Sequence, residues 1–331
     1  MTSLKTNDLV HGLPIVDISG LRHVDPRLRR ETVETIRRAC LDKGFFYCVG
    51  HDVDPNLMRE VFFEAARFFD RPMSDKLAVD KRRSKANRGY EALGGQTLEA
   101  GSPPDLKEGY YVGIETPEDD ERAERLINVG PNVWPDGQPE FKPVMLRYFD
   151  VMIELASLIM EGIALSLNLD SDYFQTFCTN PLATLRLLHY PPQPANPQPG
   201  EKGCGAHTDF GAITILLQDA IGGLEVWDHD EGTWLQAEPL GGGFIVNLGD
   251  LMERWTNQRY RSTVHRVINR SGNERYSVPF FFSGNHDYLI SCLPGCLEKG
   301  EHPRFPPVTV DAHIKQKYAE TYGSAAVAAA S

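Results

Sequence analysis

The chain has 331 residues, room for one large domain or two small ones, and 41% of them are apolar, enough for a sizeable core and too many for wholesale disorder. Its net charge of −12 argues against nucleic acid or an anionic membrane as the main partner, since both call for a cationic surface. An anionic small molecule stays open, because one buried arginine can reverse the field locally.

The opening MTSLKTNDLVHGLP has no apolar run, so neither a signal peptide nor a membrane anchor is expected. Leu13 to Ile18 reads as a short strand. A helical pattern follows from about Asp25 to Asp42, with Val33, Ile36 and Cys40 on one face. Gly44 permits a C-terminal cap, and Phe45 to Val49 reads as a strand. Pro55 opens a second helix with Leu57, Val61, Phe62, Ala65 and Phe69 along its buried face, and Pro72 ends it. Residues 80 to 140 are rich in Gly, Pro and charge and are expected to be mainly loop, in the manner of a lid. A long amphipathic helix from about Lys142 to Leu169 is expected to form a packing spine.

From Ala183 onward short β-branched and aromatic segments alternate with turn signals: Thr184–Tyr190, Ala212–Gln218, Gly223–Trp227, Gly243–Asn247, Ser262–Ile268 and Tyr276–Phe282. Strands at this spacing point to a double-stranded β-helix, or jelly roll, of cupin-like form, interrupted by the proline-rich loop Pro191 to Pro199. The predicted class is therefore mainly β with flanking helices. A last helix is expected from Asp311 to Tyr322, followed by an alanine-rich tail that frays. Six scattered cysteines with no C-x-x-C pair read as free thiols of a reducing, cytoplasmic compartment, Cys292 and Cys296 included.

His207-Thr208-Asp209 and the distant His265 carry the chemistry. Side chains at i and i+2 of a strand point the same way, so His207 and Asp209 can reach one ion, with His265 arriving from another strand. Two imidazoles and one carboxylate on one face of a metal form the triad of non-haem Fe(II) oxygenases, which leaves the opposite face open. Arg275-Tyr276-Ser277 adds a guanidinium fork and a hydroxyl on one face of a further strand, the groups that hold a carboxylate.

Leu182 to Phe282 resembles the core of the Fe(II)/2-oxoglutarate dioxygenases related to isopenicillin N synthase. The resemblance is carried by Arg186-Leu187-Leu188-His189-Tyr190-Pro191, Ala206-His207-Thr208-Asp209-Phe210-Gly211, Gly222-Gly223-Leu224-Glu225-Val226, Asn247-Leu248-Gly249-Asp250, Ser262-Thr263-Val264-His265-Arg266-Val267 and Arg275-Tyr276-Ser277. Leu13-Pro14-Ile15-Val16-Asp17, Gly44-Phe45-Phe46 and Asn87-Arg88-Gly89-Tyr90 extend it over nearly the whole chain. It implies a jelly-roll core at 181–290, an N-terminal region of helices and lid-like loops at 1–128, a spine helix and connector at 129–180 and a C-terminal segment at 291–331, all in one compact unit. It further implies Fe(II), 2-oxoglutarate and dioxygen, with ascorbate as a stimulant, and oxidation of a small organic molecule with release of succinate and carbon dioxide. Hydroxylation is the default outcome. Iron falls to His207, Asp209 and His265, and the cosubstrate to Arg275, Ser277 and Tyr190. The family often has Asn-x-Tyr-Pro where this chain has Leu188-His189-Tyr190-Pro191, which removes one polar contact. Halogenating relatives lack the carboxylate that Asp209 retains.

Strand alternation places Thr184, Arg186 and Leu188 on the face of Tyr190. A buried Arg186 needs an acidic or carbonyl-bearing partner, either the substrate or an internal carboxylate. Phe281 shares a face with Arg275 and Ser277, and Phe210 follows the metal carboxylate; both rings are open to stacking on substrate or to core packing. Arg88 and Tyr90 match a region that shapes substrate pockets in relatives, or belong to a solvated loop. Three other readings stand at this point: an oxidase of the same fold that dispenses with 2-oxoglutarate, a zinc hydrolase built on the same three ligands, and a non-catalytic jelly-roll binding protein.

Overall fold

The computed structural model describes residues 9–322; the alanine-rich tail lies outside the described residues. In chain order the strands are β1 (Leu9–Val10), β2 (Leu13–Asp17), β3 (Phe45–Val49), β4 (Gly89–Glu91), β5 (Glu108–Gly113), β6 (Pro181–Tyr190), β7 (Cys204–His207), β8 (Ile213–Gln218), β9 (Leu224–Asp228), β10 (Thr233–Gln236), β11 (Phe244–Leu248), β12 (His265–Val267), β13 (Arg275–Asn285), β14 (Leu289–Ile290) and β15 (Val308–Thr309). The helices are α1 (Pro26–Asp42), α2 (Pro55–Phe69), α3 (Met73–Ala78), α4 (Phe141–Ser166), α5 (Asp250–Trp255) and α6 (Val310–Tyr322).

Local chemistry accounts for the helix starts. Asp25 caps α1 by accepting from the Arg27 N–H, and Asp54 caps α2 by accepting from the Asn56 N–H. Each is followed by a proline at the first helical position, where a missing N–H costs nothing. The long helix α4 buries Met145, Tyr148, Met152, Ile159 and Ile163 and packs against α1 and α2.

Two sheets face each other as a jelly roll. The larger runs β1-β2-β3-β11-β8-β13-β6-β5-β4, and the smaller runs β10-β9-β12-β7. Between them lies an apolar layer that includes Leu13, Phe45, Tyr190, Leu224, Val226 and Val267. The outer face of the large sheet packs on the helices through a second, larger cluster that includes Phe68, Tyr110, Phe149, Ile159, Phe280 and Trp255. N-terminal strands thus extend both edges of the large sheet: β3 pairs with β11, and β5 pairs with β6.

The region expected to be loop from 80 to 140 holds an important exception. β5, with sequence EGYYVG, is buried along its whole length and pairs with β6 from Glu108↔His189 to Gly113↔Thr184. β10 also escaped the sequence reading, the strand supposed at His207 and Asp209 ends at His207 as β7, and the strand expected over 262–268 shortens to β12. All six cysteines are free, and no helix among the described residues is long and apolar enough to cross a membrane.

Candidate active site

His207 ends β7, and His265 opens β12. The two strands pair antiparallel with His265 directly opposite His207, so both rings emerge at one point between the sheets. Asp209 does not share a strand with His207 as the i, i+2 rule supposed. It lies two residues past the end of β7, where the chain turns toward β8. That turn is held by backbone bonds from α5 and the residue before it: the Asp250 N–H donates to the Asp209 carbonyl at 2.7 Å, and the Gly249 N–H donates to the Ala212 carbonyl at 3.0 Å. Gly249 must be glycine, because a Cβ there would fall 2.2 Å from the Gly211 carbonyl oxygen.

Hydrogen bonds then aim each ligand. Asp209 Oδ2 accepts from Thr214 Oγ1 at 2.5 Å and from Asn247 Nδ2 at 2.7 Å. Oδ1 is left facing the Nε2 atoms of His207 and His265, each at 3.8 Å. His207 Nδ1 meets the Gly205 carbonyl at 2.8 Å, and His265 Nδ1 meets the Thr263 carbonyl at 3.1 Å. A carbonyl only accepts, so each Nδ1 carries the proton and each Nε2 presents a lone pair to the centre. Burial lowers the affinity of both imidazoles for a second proton, taking His265 down to about 4 with the help of neighbouring His207. Burial opposes the charge on Asp209, but His265, His207 and its hydrogen bonds outweigh it and hold the carboxyl below its usual range. Two neutral imidazoles and one carboxylate, with ligand atoms all within 4.8 Å of one another, are the donor set of a facial Fe(II) site.

Two chambers meet at this triad, sharing Leu98, Arg186, His207, Asp209 and Phe281. One is lined by Leu188, Tyr190, Arg275 and Ser277, as strand alternation predicted. Arg275 is fully buried and stands over the Tyr190 ring at 4.7 Å. Its Nε donates to the Gly222 carbonyl at 2.5 Å and its Nη2 to Gln218 Oε1 at 3.3 Å, while Nη1 has no partner. Ser277 lines the same chamber as the Tyr190 phenol. A buried guanidinium N–H without an acceptor, beside two hydroxyls, fits the far carboxylate of an oxo acid.

The comparisons with known proteins agree with this geometry. Residues 13–137 match the family described as non-haem dioxygenase in morphine synthesis N-terminal, and residues 181–284 match the 2OG-Fe(II) oxygenase superfamily. The 2-oxoglutarate-Fe(II) type oxidoreductase hxnY of Emericella nidulans is 44% identical over 317 residues, covering 94% of this chain and 91% of the relative. The crystal structure of a full-length Neurospora crassa protein in complex with alpha-KG superposes with a TM-score of 0.83 at 32% identity, covering 93% of this chain and 96% of that one. The same Neurospora crassa protein in complex with alpha-KG and thymine gives 0.82 at 31% identity, covering 96% and 100%. The chain is a 2-oxoglutarate/Fe(II) oxygenase. It uses Fe(II), 2-oxoglutarate and dioxygen to oxidise a small organic molecule, which decides against the hydrolase and binding-protein readings.

The second chamber of this oxygenase is lined by Thr184, Phe210, Ser283, Tyr318 and Tyr322 beside the shared residues. Arg186 reaches it between two rings, its Cζ 4.6 Å from the centre of Tyr111 and 4.7 Å from that of Phe281. No ion pair engages Arg186 among the described residues, and its Nε is buried without a partner, so the internal salt bridge weighed from sequence is absent. Phe210 and Phe281 both line this space. Phe210 meets Tyr318 and Tyr322 edge-on, and its carbonyl accepts from His313 Nε2 at 3.0 Å, which ties α6 over the chamber.

Arg88 and Tyr90 are placed elsewhere, a correction to both alternatives considered for them. Tyr90 is fully buried in the helix-side core, with its hydroxyl donating to Glu108. Arg88 is buried under Gly113, donates to the Asn128 carbonyl at 2.7 Å and borders a separate pocket with Glu115 and Arg122. Four residues near the reaction space went unnoticed in the sequence. Lys107, paired with Asp105 and 3.4 Å from Cys204 Sγ, brings a third cation to the chamber lined by Arg275 and Arg186, where Leu188 supplies no polar atom. Tyr111 comes from unexpected β5, and Tyr318 and Tyr322 come from α6, far along the chain from the triad.

Proposed function

We propose that the oxygenase acts on a small, flat molecule bearing a carboxylate or carbonyl group, which Arg186 receives between Tyr111 and Phe281. Iron is assigned to His207, Asp209 and His265, and the far carboxylate of 2-oxoglutarate to Arg275, Ser277 and Tyr190. Phe210 and Phe281 wall the substrate. The free thiols point to a reducing, cytoplasmic setting.

The observation that carries this reading is Arg186 beside the triad, with no ion pair among the described residues and its Nε buried without a partner. A half-buried guanidinium without a counter-charge is costly, and the two aromatic faces offset only part of that cost. A carboxylate or carbonyl oxygen completes it. Thymine, held by the similar Neurospora crassa protein, is itself a flat ring with carbonyl groups.

Bound Fe(II) supplies the activation of dioxygen that couples decarboxylation of 2-oxoglutarate to oxidation of the substrate. The chain contributes position and polarity. Thr214 and Asn247 fix the Asp209 carboxylate; Gly205 and Thr263 fix the imidazole tautomers. Arg275 anchors one acid in one chamber while Arg186 holds the other ligand across the triad, so that the two meet only there.

Ferrous iron and 2-oxoglutarate added to metal-free protein without oxygen should give a weak visible charge-transfer band, absent in Asp209→Ala. Arg186→Gln should keep that band and keep slow substrate-free succinate formation, yet lose the stimulation of turnover by substrate. Loss of the band itself in Arg186→Gln would return Arg186 to a structural role.

A further inference from the structure

The substrate chamber opens outward into a third space that the reaction described so far does not use. This vestibule shares Arg186, Tyr318 and Tyr322 with the chamber and continues past Tyr111 to Gln96, Asn87 and Lys81. It holds about 290 Å³, against about 60 Å³ for each inner chamber. A bound molecule longer than the inner chamber has room to extend into this vestibule.

One hydrogen-bond relay sets the polarity of the vestibule wall. Glu91 accepts from Lys81 at 2.5 Å and also from the Tyr111 hydroxyl. A carboxylate only accepts, so the Tyr111 proton is committed to Glu91. The Tyr111 oxygen then requires a donor, and Gln96 Nε2 fills that place at 3.0 Å. The amide of Gln96 is thereby fixed with its nitrogen toward Tyr111 and its oxygen turned away. That oxygen is buried, belongs to a residue only 7% exposed, and has no partner. A buried acceptor left alone is rare in folded proteins and costly.

We propose that Gln96 Oε1 is a specificity contact that accepts a hydrogen bond from an O–H or N–H group on the remote end of the substrate. Resting on the reading of Arg186 given above, this defines the substrate class as an aromatic acid or carbonyl compound with a hydrogen-bond donor away from its acidic end. Tyr111 links the two determinants: its ring faces Arg186 and its hydroxyl orients Gln96. A site built to satisfy a donor rejects the analogue lacking it, because the buried acceptor is then stranded.

The test is a ladder of acids bound to protein loaded with Mn(II) and 2-oxoglutarate and followed by calorimetry. 4-Hydroxybenzoate, 4-hydroxyphenylacetate and 3-(4-hydroxyphenyl)propionate are each compared with their O-methyl ethers. Wild type should prefer at least one free phenol over its ether by tenfold or more. Gln96→Leu should bring that ratio near one, with an unchanged 2-oxoglutarate titration as the check on folding. Tyr111→Phe, which releases the Gln96 amide without removing its oxygen, should reduce the ratio partway. Arg186→Gln should weaken phenol and ether alike and preserve the ratio, so a failure of the Arg186 reading appears separately as unchanged affinity in that variant. Equal binding of every phenol and ether by wild type, no binding by any acid, or a Gln96→Leu ratio equal to wild type would overturn the proposal.

Discussion

Arg275 illustrates how a single side chain can be both fully committed and incomplete. Two of its nitrogens are fixed by Gly222 and Gln218, which hold the fork rigid, and the third is buried without a partner. A rigid fork gives bidentate recognition that an ammonium group cannot copy. Arg275→Gln should therefore raise the Kd for 2-oxoglutarate by roughly 10- to 100-fold, the worth of one charge-assisted contact. Arg275→Lys should fall between the two, since it keeps the charge and loses the geometry. The anaerobic charge-transfer titration reads both, and equal affinity in the lysine variant and wild type would show that charge alone anchors the acid. These residues were legible in the sequence because the chemistry demands particular residue types in one order: His-x-Asp, a distant His and Arg-x-Ser carry the reading together, where each alone is weak. Gln96, Lys107 and Tyr111 were not, because each is an ordinary residue whose meaning comes only from a partner elsewhere along the chain: Tyr111 for Gln96, Arg186 for Tyr111, Cys204 for Lys107. Tyr318 and Tyr322 were hidden for the same reason.

At the level of elements, the sequence spoke clearly where local forces decide and weakly where neighbours do. α1, α2 and α4 carry apolar periodicity, and the first two add an aspartate cap before a proline, so their bounds are nearly those expected. β5 contains two glycines and lies in a stretch rich in Pro and charge; only pairing with β4 and β6 makes it a strand. β7 consists of Cys-Gly-Ala-His, too small and irregular to signal a strand by its own pattern. The β5–β6 junction also contains a charge clamp. His189 meets Glu108 Oε1 at 2.8 Å through Nδ1 and Glu274 through Nε2, stacks on Tyr276 and lies beside Phe69, while Glu108 also accepts from Lys76 and Tyr90. Burial works against the His189 charge, but the bonds to Glu108 and Glu274 outweigh it and raise its pKa above 6.5. A raised histidine contributes stability that is fully present below 6.5 and fades as pH climbs through the higher folded value. Wild type should thus exceed His189→Gln by about 1–2 kcal/mol at pH 6, less than a fully buried charged bond because Glu274 is exposed. Denaturant melts at a series of pH values should show that margin shrinking as pH rises above 6.5; a constant margin would mean the histidine is not charged in the clamp.

The whole molecule follows from the way the large sheet is assembled. Its centre, β11-β8-β13-β6, comes from the C-terminal half, and its wings, β1-β2-β3 and β5-β4, come from the N-terminal half. The wings bury residues on both sides. Phe45 and Tyr47 pack between the sheets, whereas Phe46 and Cys48 pack against the helices. Neither half could keep its hydrogen-bonding edges or its apolar faces covered without the other, so cooperativity should span both. Heat should therefore unfold the chain in one transition, with signals from backbone circular dichroism and tryptophan fluorescence coinciding. Ligands bound at the sites proposed above should then stabilise the entire unit and not one part of it. Saturation with Mn(II) and 2-oxoglutarate at about 100 times Kd adds roughly 2.7 kcal/mol per site and should move the single transition up by several degrees. Asp209→Ala should lose the shift due to metal, and Arg275→Gln should lose most of that due to the acid. Two resolved transitions, with only the later one moved by ligand, would show instead that the N-terminal wings melt independently of the jelly roll they extend.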